Sequence, residues 1–111
     1  MTVTTRALVN SKFMENAQTT QYTASSVSAI IDKFVVTNIS AGAVTFSVNL
    51  VNSGGAAGSS NLFISTKSLQ ASESYSCPEV VGHTLTNGQF ISTIANTASA
   101  IALRVSGREI S

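Results

Sequence analysis

Tryptophan is absent from this chain, and histidine, cysteine, proline and aspartate occur once each, as His83, Cys77, Pro78 and Asp32. Each shortage excludes something. A single cysteine cannot close an internal disulfide, which argues against the stapled secreted scaffolds and fits a reducing compartment. One histidine and one cysteine cannot supply the three or four ligands of a zinc site, even with the neighbouring carboxylates Glu73 and Glu79. No metal and no other cofactor is expected.

Catalytic groupings fail in the same way. A nucleophilic pair of Cys77 and His83 has Pro78 between its members and no oxyanion motif beside it. A Ser-His-Asp triad would have to recruit Asp32, and no Gly-x-Ser-x-Gly occurs. Glycoside hydrolysis could draw only on Glu73 and Glu79, and sugar binding of any kind has few aromatics to stack on, since these are 6% of the chain. The expectation is a protein that is not an enzyme, with Cys77 as a small buried apolar group and His83 as a polar residue at a surface or interface.

Charge is scarce as well. Charged residues make up 10% of the chain, against roughly 25% in ordinary soluble domains, and the mean hydropathy is +0.27. Such a surface gains from being partly covered by a partner. The net charge is +1, and the six cations (Arg6, Lys12, Lys33, Lys67, Arg104, Arg108) are scattered among five carboxylates. No basic stripe is available for a phosphate backbone, so no direct nucleic-acid partner is expected, and a clamping attachment should be apolar and backbone-mediated rather than electrostatic. Met1 to Phe13 has no apolar run behind a basic head, and no stretch approaches about 18 apolar residues, so neither an export signal nor a membrane span is expected.

What the chain has is serine and threonine, 31 residues of the 111, threaded between Val, Ile, Leu and Phe with period two. Ala43 to Val51 is the clearest run, with Val44, Phe46, Val48 and Leu50 on one face and Thr45, Ser47 and Asn49 on the other. Further strands are expected over Ala29–Ile39, Asn61–Lys67, Gln89–Ala95 and Ala98–Ile110, the last placing Arg104 on its outer face. Ile39 to Ala43 reads as a hairpin turn, Thr86-Asn87-Gly88-Gln89 as a tight turn, and Asn52 to Ser60 (NSGGAAGSS) as a mobile loop with no Gly-Lys-Ser/Thr to cradle phosphate. Pro78 to Leu85 has the proline-then-acid start of one or two helical turns. Phe34, Phe46, Phe63 and Phe90 sit in strand patterns and are expected in the core.

Residues 1–28 contain neither Gly nor Pro, and their apolar anchors Val3, Leu8, Phe13 and Tyr22 are too sparse for an independent core. They read as an extended N-terminal arm in front of a β body over residues 29–111, with Val3, Arg6, Leu8, Phe13 and Tyr22 as candidate partner contacts. Six to eight short strands and no helical crossover give an all-β fold, an antiparallel β-sandwich of jelly-roll or immunoglobulin-like kind with one short helical turn.

The order Tyr75, Pro78-Glu79-Val80-Val81-Gly82, Asn87-Gly88 and Ile91, followed by an Ala-rich lead into Ile101-Ala102-Leu103-Arg104-Val105-Ser106-Gly107-Arg108-Glu109-Ile110, resembles small β-sandwich structural proteins of tailed-phage virions. The resemblance spans about residues 29 to 111 and is greatest to the capsid decoration, or staple, proteins of short-tailed Salmonella phages. It implies a virion protein made in the host bacterial cytoplasm that sits on the outer capsid surface. There it would clamp neighbouring subunits of the major capsid protein, as a homodimer or higher homo-oligomer. The alternative is a tail-associated or host-surface module that binds carbohydrate.

Overall fold

The period-two runs become nine strands in a computed structural model that describes residues 1–111. They are β1 (Val3–Phe13), β2 (Thr19–Thr23), β3 (Ser28–Asn38), β4 (Val44–Val51), β5 (Leu62–Leu69), β6 (Ser74–Tyr75), β7 (Thr84–Leu85), β8 (Phe90–Ala95) and β9 (Ile101–Ile110). The first half of the chain folds back on the second, every pair antiparallel. β1 pairs with β9, β2 with β8, β3 with β6 and β7, and β4 with β5. Pairing of β3 with β9 and of β4 with β8 then assembles two sheets, β1-β9-β3-β6/β7 and β2-β8-β4-β5. This is the jelly-roll form of the sandwich, a double Greek key closed by bringing the chain ends together. Thr2 and Ser111 exchange backbone hydrogen bonds of 3.0 and 2.9 Å.

Between the sheets lies one core of 23 residues, including Phe34, Phe46, Met14, Ile31, Leu69, Ile91 and Ile101. The folded surface of 5499 Å² is close to the roughly 5,800 Å² that mass scaling gives for a monomer of this size.

Residues 1–28 are not an arm. They supply an edge strand to each sheet, and Leu8, Val9, Met14, Tyr22 and Ala24 enter the common core. Their anchors are sparse because each of these strands needs to bury one side only, against a core the rest of the chain provides.

Ile39 to Ala43 is not a hairpin turn either, because β3 and β4 lie in different sheets. The segment arches from one sheet to the other, and buried Asn38 pins the arch. Its amide nitrogen donates to the carbonyls of Gly42 (2.8 Å) and Leu69 (3.0 Å), and its side-chain oxygen accepts from the Ser40 backbone N–H and hydroxyl. One polar side chain therefore joins the two sheets at their corner with its hydrogen-bonding capacity filled.

Pro78 to Leu85 forms two successive turns in place of helix, with Val80 N–H donating to Cys77 O and His83 N–H to Val80 O. Gly82, at φ +89°, then donates to Ile31 O at 2.6 Å, and Ile31 N–H donates to His83 O, so the segment spends its backbone groups on β3. The only helical turn, a 3-10 turn at Ser59–Asn61, lies in the glycine-rich loop. The tight turn at Thr86–Gln89 forms as expected, with Gln89 N–H on Thr86 O and Gly88 at φ +89°.

The alternation in β4 runs to its end: Leu50 still packs against the core, while Asn49 and Val51 face outward and are buried from that side by the chain that covers them. The pairing of β4 with β8 is regular throughout, and the register shift against β5 between Val48 and Asn49 falls on the β5 side, where Phe63 is the extra residue.

Candidate functional site

The five candidate contact residues separate into three environments. Val3 and Phe13, 51% and 47% exposed, stand at opposite ends of β1, whose outer edge has no neighbouring strand. Leu8 is buried in the core and is not available to a partner.

Arg6 and Tyr22 meet at one end of the sandwich, where both bind Glu109. The Arg6 guanidinium donates to both Glu109 oxygens, at 3.1 and 3.3 Å, and the Tyr22 hydroxyl donates to Oε2. Burial first, and then the Glu109 hydrogen bond, push the Tyr22 hydroxyl well above its ordinary range. The Tyr22 hydrogen bond, aided by Arg6 and opposed by burial, holds Glu109 below the ordinary carboxylate range. Arg6 and Glu109 belong to the first sheet and Tyr22 to the second, so this group ties the layers together.

Cys77 is fully buried, and its thiol is pushed up to about 12 by burial and by the nearby Glu79 charge, which keeps it protonated and unreactive at neutral pH. Glu79 is engaged by the Tyr75 hydroxyl at 2.7 Å, while Lys67 lies 4.7 Å from the centre of the Tyr75 ring. Nowhere do three or more His, Cys, Asp or Glu side chains cluster as metal ligands. No helix is long and apolar enough to cross a membrane.

His83 is exposed and lies tilted against Phe63, with ring centres 5.8 Å apart. Phe63 is 45% exposed, contrary to its expected place in the core. The reason is visible in the strand itself, where Phe63 and Ile64 are adjacent and only one can face inward; Ile64 does. The two rings border a cleft of about 200 Å³ whose polar wall is Asn52 and Gln89, joined by a hydrogen bond of 3.3 Å. Sequence reasoning missed this cleft because β5 and the turn before β7 are far apart in the chain.

The outer faces of the two sheets differ. On the second sheet, Asn49 and Ser92 are buried under Gln18 and the glycine-rich loop: Gln18 donates to Ser92 (2.8 Å), and Asn49 donates to Gly58 O (3.1 Å) and Asn61 Oδ1 (2.7 Å). The loop expected to be mobile is thereby fastened, since Asn61 also donates to Ala56 O and accepts from Gly58 N–H. On the first sheet a shallow trough lies open between β1, β9 and β3. No protein-family model matches this chain, no curated protein matches it in sequence, and no solved structure matches it.

Proposed function

We propose that this protein is a structural virion component that binds the outside of a phage head and clamps neighbouring major capsid protein subunits, acting as a homodimer and without enzymatic activity. The observation that carries the reading is β1: an eleven-residue edge strand, open along one side, with exposed Val3 and Phe13 on it. An open edge offers backbone donors and acceptors to an added strand, and exposed apolar side chains beside it add specificity. The jelly roll is a fold that capsid proteins use, which supports the class of role by analogy. The low charge of the chain supports a surface partly covered in use. A clamp needs roughly 800 Å² per partner for each stable contact, and two such patches fit on a surface of 5499 Å². A two-fold pair would give one unit two attachment faces and so raise its avidity.

The test is co-sedimentation of the purified protein with empty heads of its phage. Wild type is expected to pellet with heads, and Val3→Asp and Phe13→Asp to remain in the supernatant while staying folded, because each places a charge in a desolvated contact. Failure of the wild type to co-sediment rejects the capsid role.

The cleft beside Phe63 and His83 favours a second reading, a carbohydrate-binding module of a tail. An aromatic face next to two side-chain amides is a chemistry that receives sugars. Polysaccharide binding that is lost in Phe63→Ala, with head binding absent, supports this alternative.

A further inference from the structure

Three of the six cations are neutralised within the chain: Arg6 by Glu109, Lys12 by Glu15, and Arg108 by Asp32. Lys67 is spent on the Tyr75 ring. The remaining two, Lys33 and Arg104, line the same feature, the trough of about 380 Å³ on the outer face of the first sheet. Its floor is Val35, Ala102 and Ser106, and Ser11 stands on the β1 side, where it accepts one hydrogen bond of 3.1 Å from Arg104. The other guanidinium donors have no partner within the chain.

This placement is specific. Lys33 is opposite Ser106, and Val35 is opposite Arg104, so the two cations are diagonal neighbours across β3 and β9, about 7–8 Å apart at the backbone. Like charges so placed disfavour the free protein. A carboxylate is close by in sequence, yet it does not relieve them. The register shift between Ile31 and Lys33 leaves both Asp32 and Lys33 exposed, and Asp32 is turned to Arg108 at 2.9 Å.

We infer that this trough binds an extended acidic segment of a partner protein, with two carboxylates separated by a single residue seated on Lys33 and Arg104. In an extended strand, residues i and i+2 share a face and lie about 6.6–6.8 Å apart, which matches the diagonal between the cations. Arg104 can take its carboxylate through two parallel N–H bonds, and Lys33 can take the other as a point charge. Phe13 stands opposite Ala102 in the adjoining row of the same face and gives the segment an apolar stop. Two cations are too few for a nucleic-acid footprint, so a protein carboxylate is the ligand class that the charge fits. The inference goes beyond the capsid reading and does not depend on it.

The experiment is an amide NMR titration of the isotope-labelled chain with the end-blocked peptide Gly-Ser-Glu-Ser-Glu-Ser-Gly. Binding is expected with a Kd on the order of 1 mM, since exposed ion pairs are individually weak, with shifts centred on residues 33–35 and 102–106. Lys33→Gln and Arg104→Gln should each weaken it about fivefold. Lys67→Gln, which makes the same change in net charge elsewhere, should leave it unchanged. A peptide with the two glutamates adjacent should bind about fivefold more weakly, because its carboxylates leave opposite faces of the strand. Equal binding of the adjacent-glutamate peptide, or equal weakening by Lys67→Gln, overturns the inference. So does tighter binding of inorganic phosphate or of a ten-nucleotide thymidine strand at the same amides. Because the probe is a free peptide, its failure is distinct from failure of the head co-sedimentation.

Discussion

The outer faces of the two sheets have met the same difficulty in opposite ways. A sandwich of 111 residues has two outer faces to fill with few charged side chains. The second sheet covers its face with its own chain, sinking Asn49 and Ser92 under Gln18 and the segment up to Asn61. The first sheet leaves its face open, with Lys33 and Arg104 unpaired over Val35 and Ala102. Polar groups on the covered face are structural: each is a buried hydrogen-bonding group whose partners are within the chain. Polar groups on the open face have capacity left over, and capacity left over is what a partner can use.

An open face does not mean a tolerant sheet, and the largest expected effect lies beneath it. A Cβ on Gly107 would meet Ile30 O at 2.1 Å and Leu8 Cδ1 at 2.9 Å, where β9 runs between β1 and β3. The backbone oxygen cannot move aside without breaking the ladder. Gly107→Ala is expected to cost about 3 kcal/mol through overpacking, read as a lower midpoint in urea unfolding. A midpoint within error of wild type would show that the three strands are less closely joined than these distances state.

The next effect sharpens the contrast directly. Asn49→Leu keeps the size of the side chain but removes the donor that Asn49 gives to Asn61 Oδ1 and to Gly58 O and weakens the hold on Gln18. A cost of about 2–3 kcal/mol is expected, together with faster amide exchange over residues 56–61. On the open face, Lys33→Ala and Arg104→Ala should change stability by no more than about 0.5 kcal/mol, in either direction, because neither charge has a carboxylate to lose. Equal costs on the two faces would remove the distinction between them.

How much of this was legible in the sequence follows from the range over which each signal acts. The sandwich was legible, because period two is a local property and β3, β4, β8 and β9 all carry it. The turn at Asn87-Gly88 was legible for the same reason. The strands at the beginning of the chain were not, since Leu8 and Tyr22 become core residues only through a β9 and a β8 that lie some 70 to 100 residues away. Asn38 and Asn49 are polar residues in apolar runs, and nothing local distinguishes a buried, fully bonded asparagine from a solvated one. The trough was half legible: Arg104 was placed on the outer face by alternation, but Lys33 reaches that face through a register shift that no periodicity announces.

The smallest expected effect concerns the point where the two sheets cooperate, the group of Arg6, Glu109 and Tyr22. Glu109 is held below its ordinary carboxylate range of about 4.5, with the hydrogen bond from Tyr22 as the largest cause and that from Arg6 as a lesser one. A carboxylate whose folded value is depressed contributes stability that is fully present above its unfolded value and is lost as the pH falls through the folded one. Unfolding midpoints should therefore decline as the pH drops below about 4.5, with Glu15, held low chiefly by Lys12, adding to the same slope. Glu109→Gln should flatten part of that decline without abolishing the fold, because glutamine still offers Tyr22 an acceptor. Tyr22→Phe should flatten more of it than Arg6→Gln, since the bond between sheets outweighs the one within the first sheet. The opposite order would mean that Glu109 serves the edge of its own sheet more than the tie between the two layers.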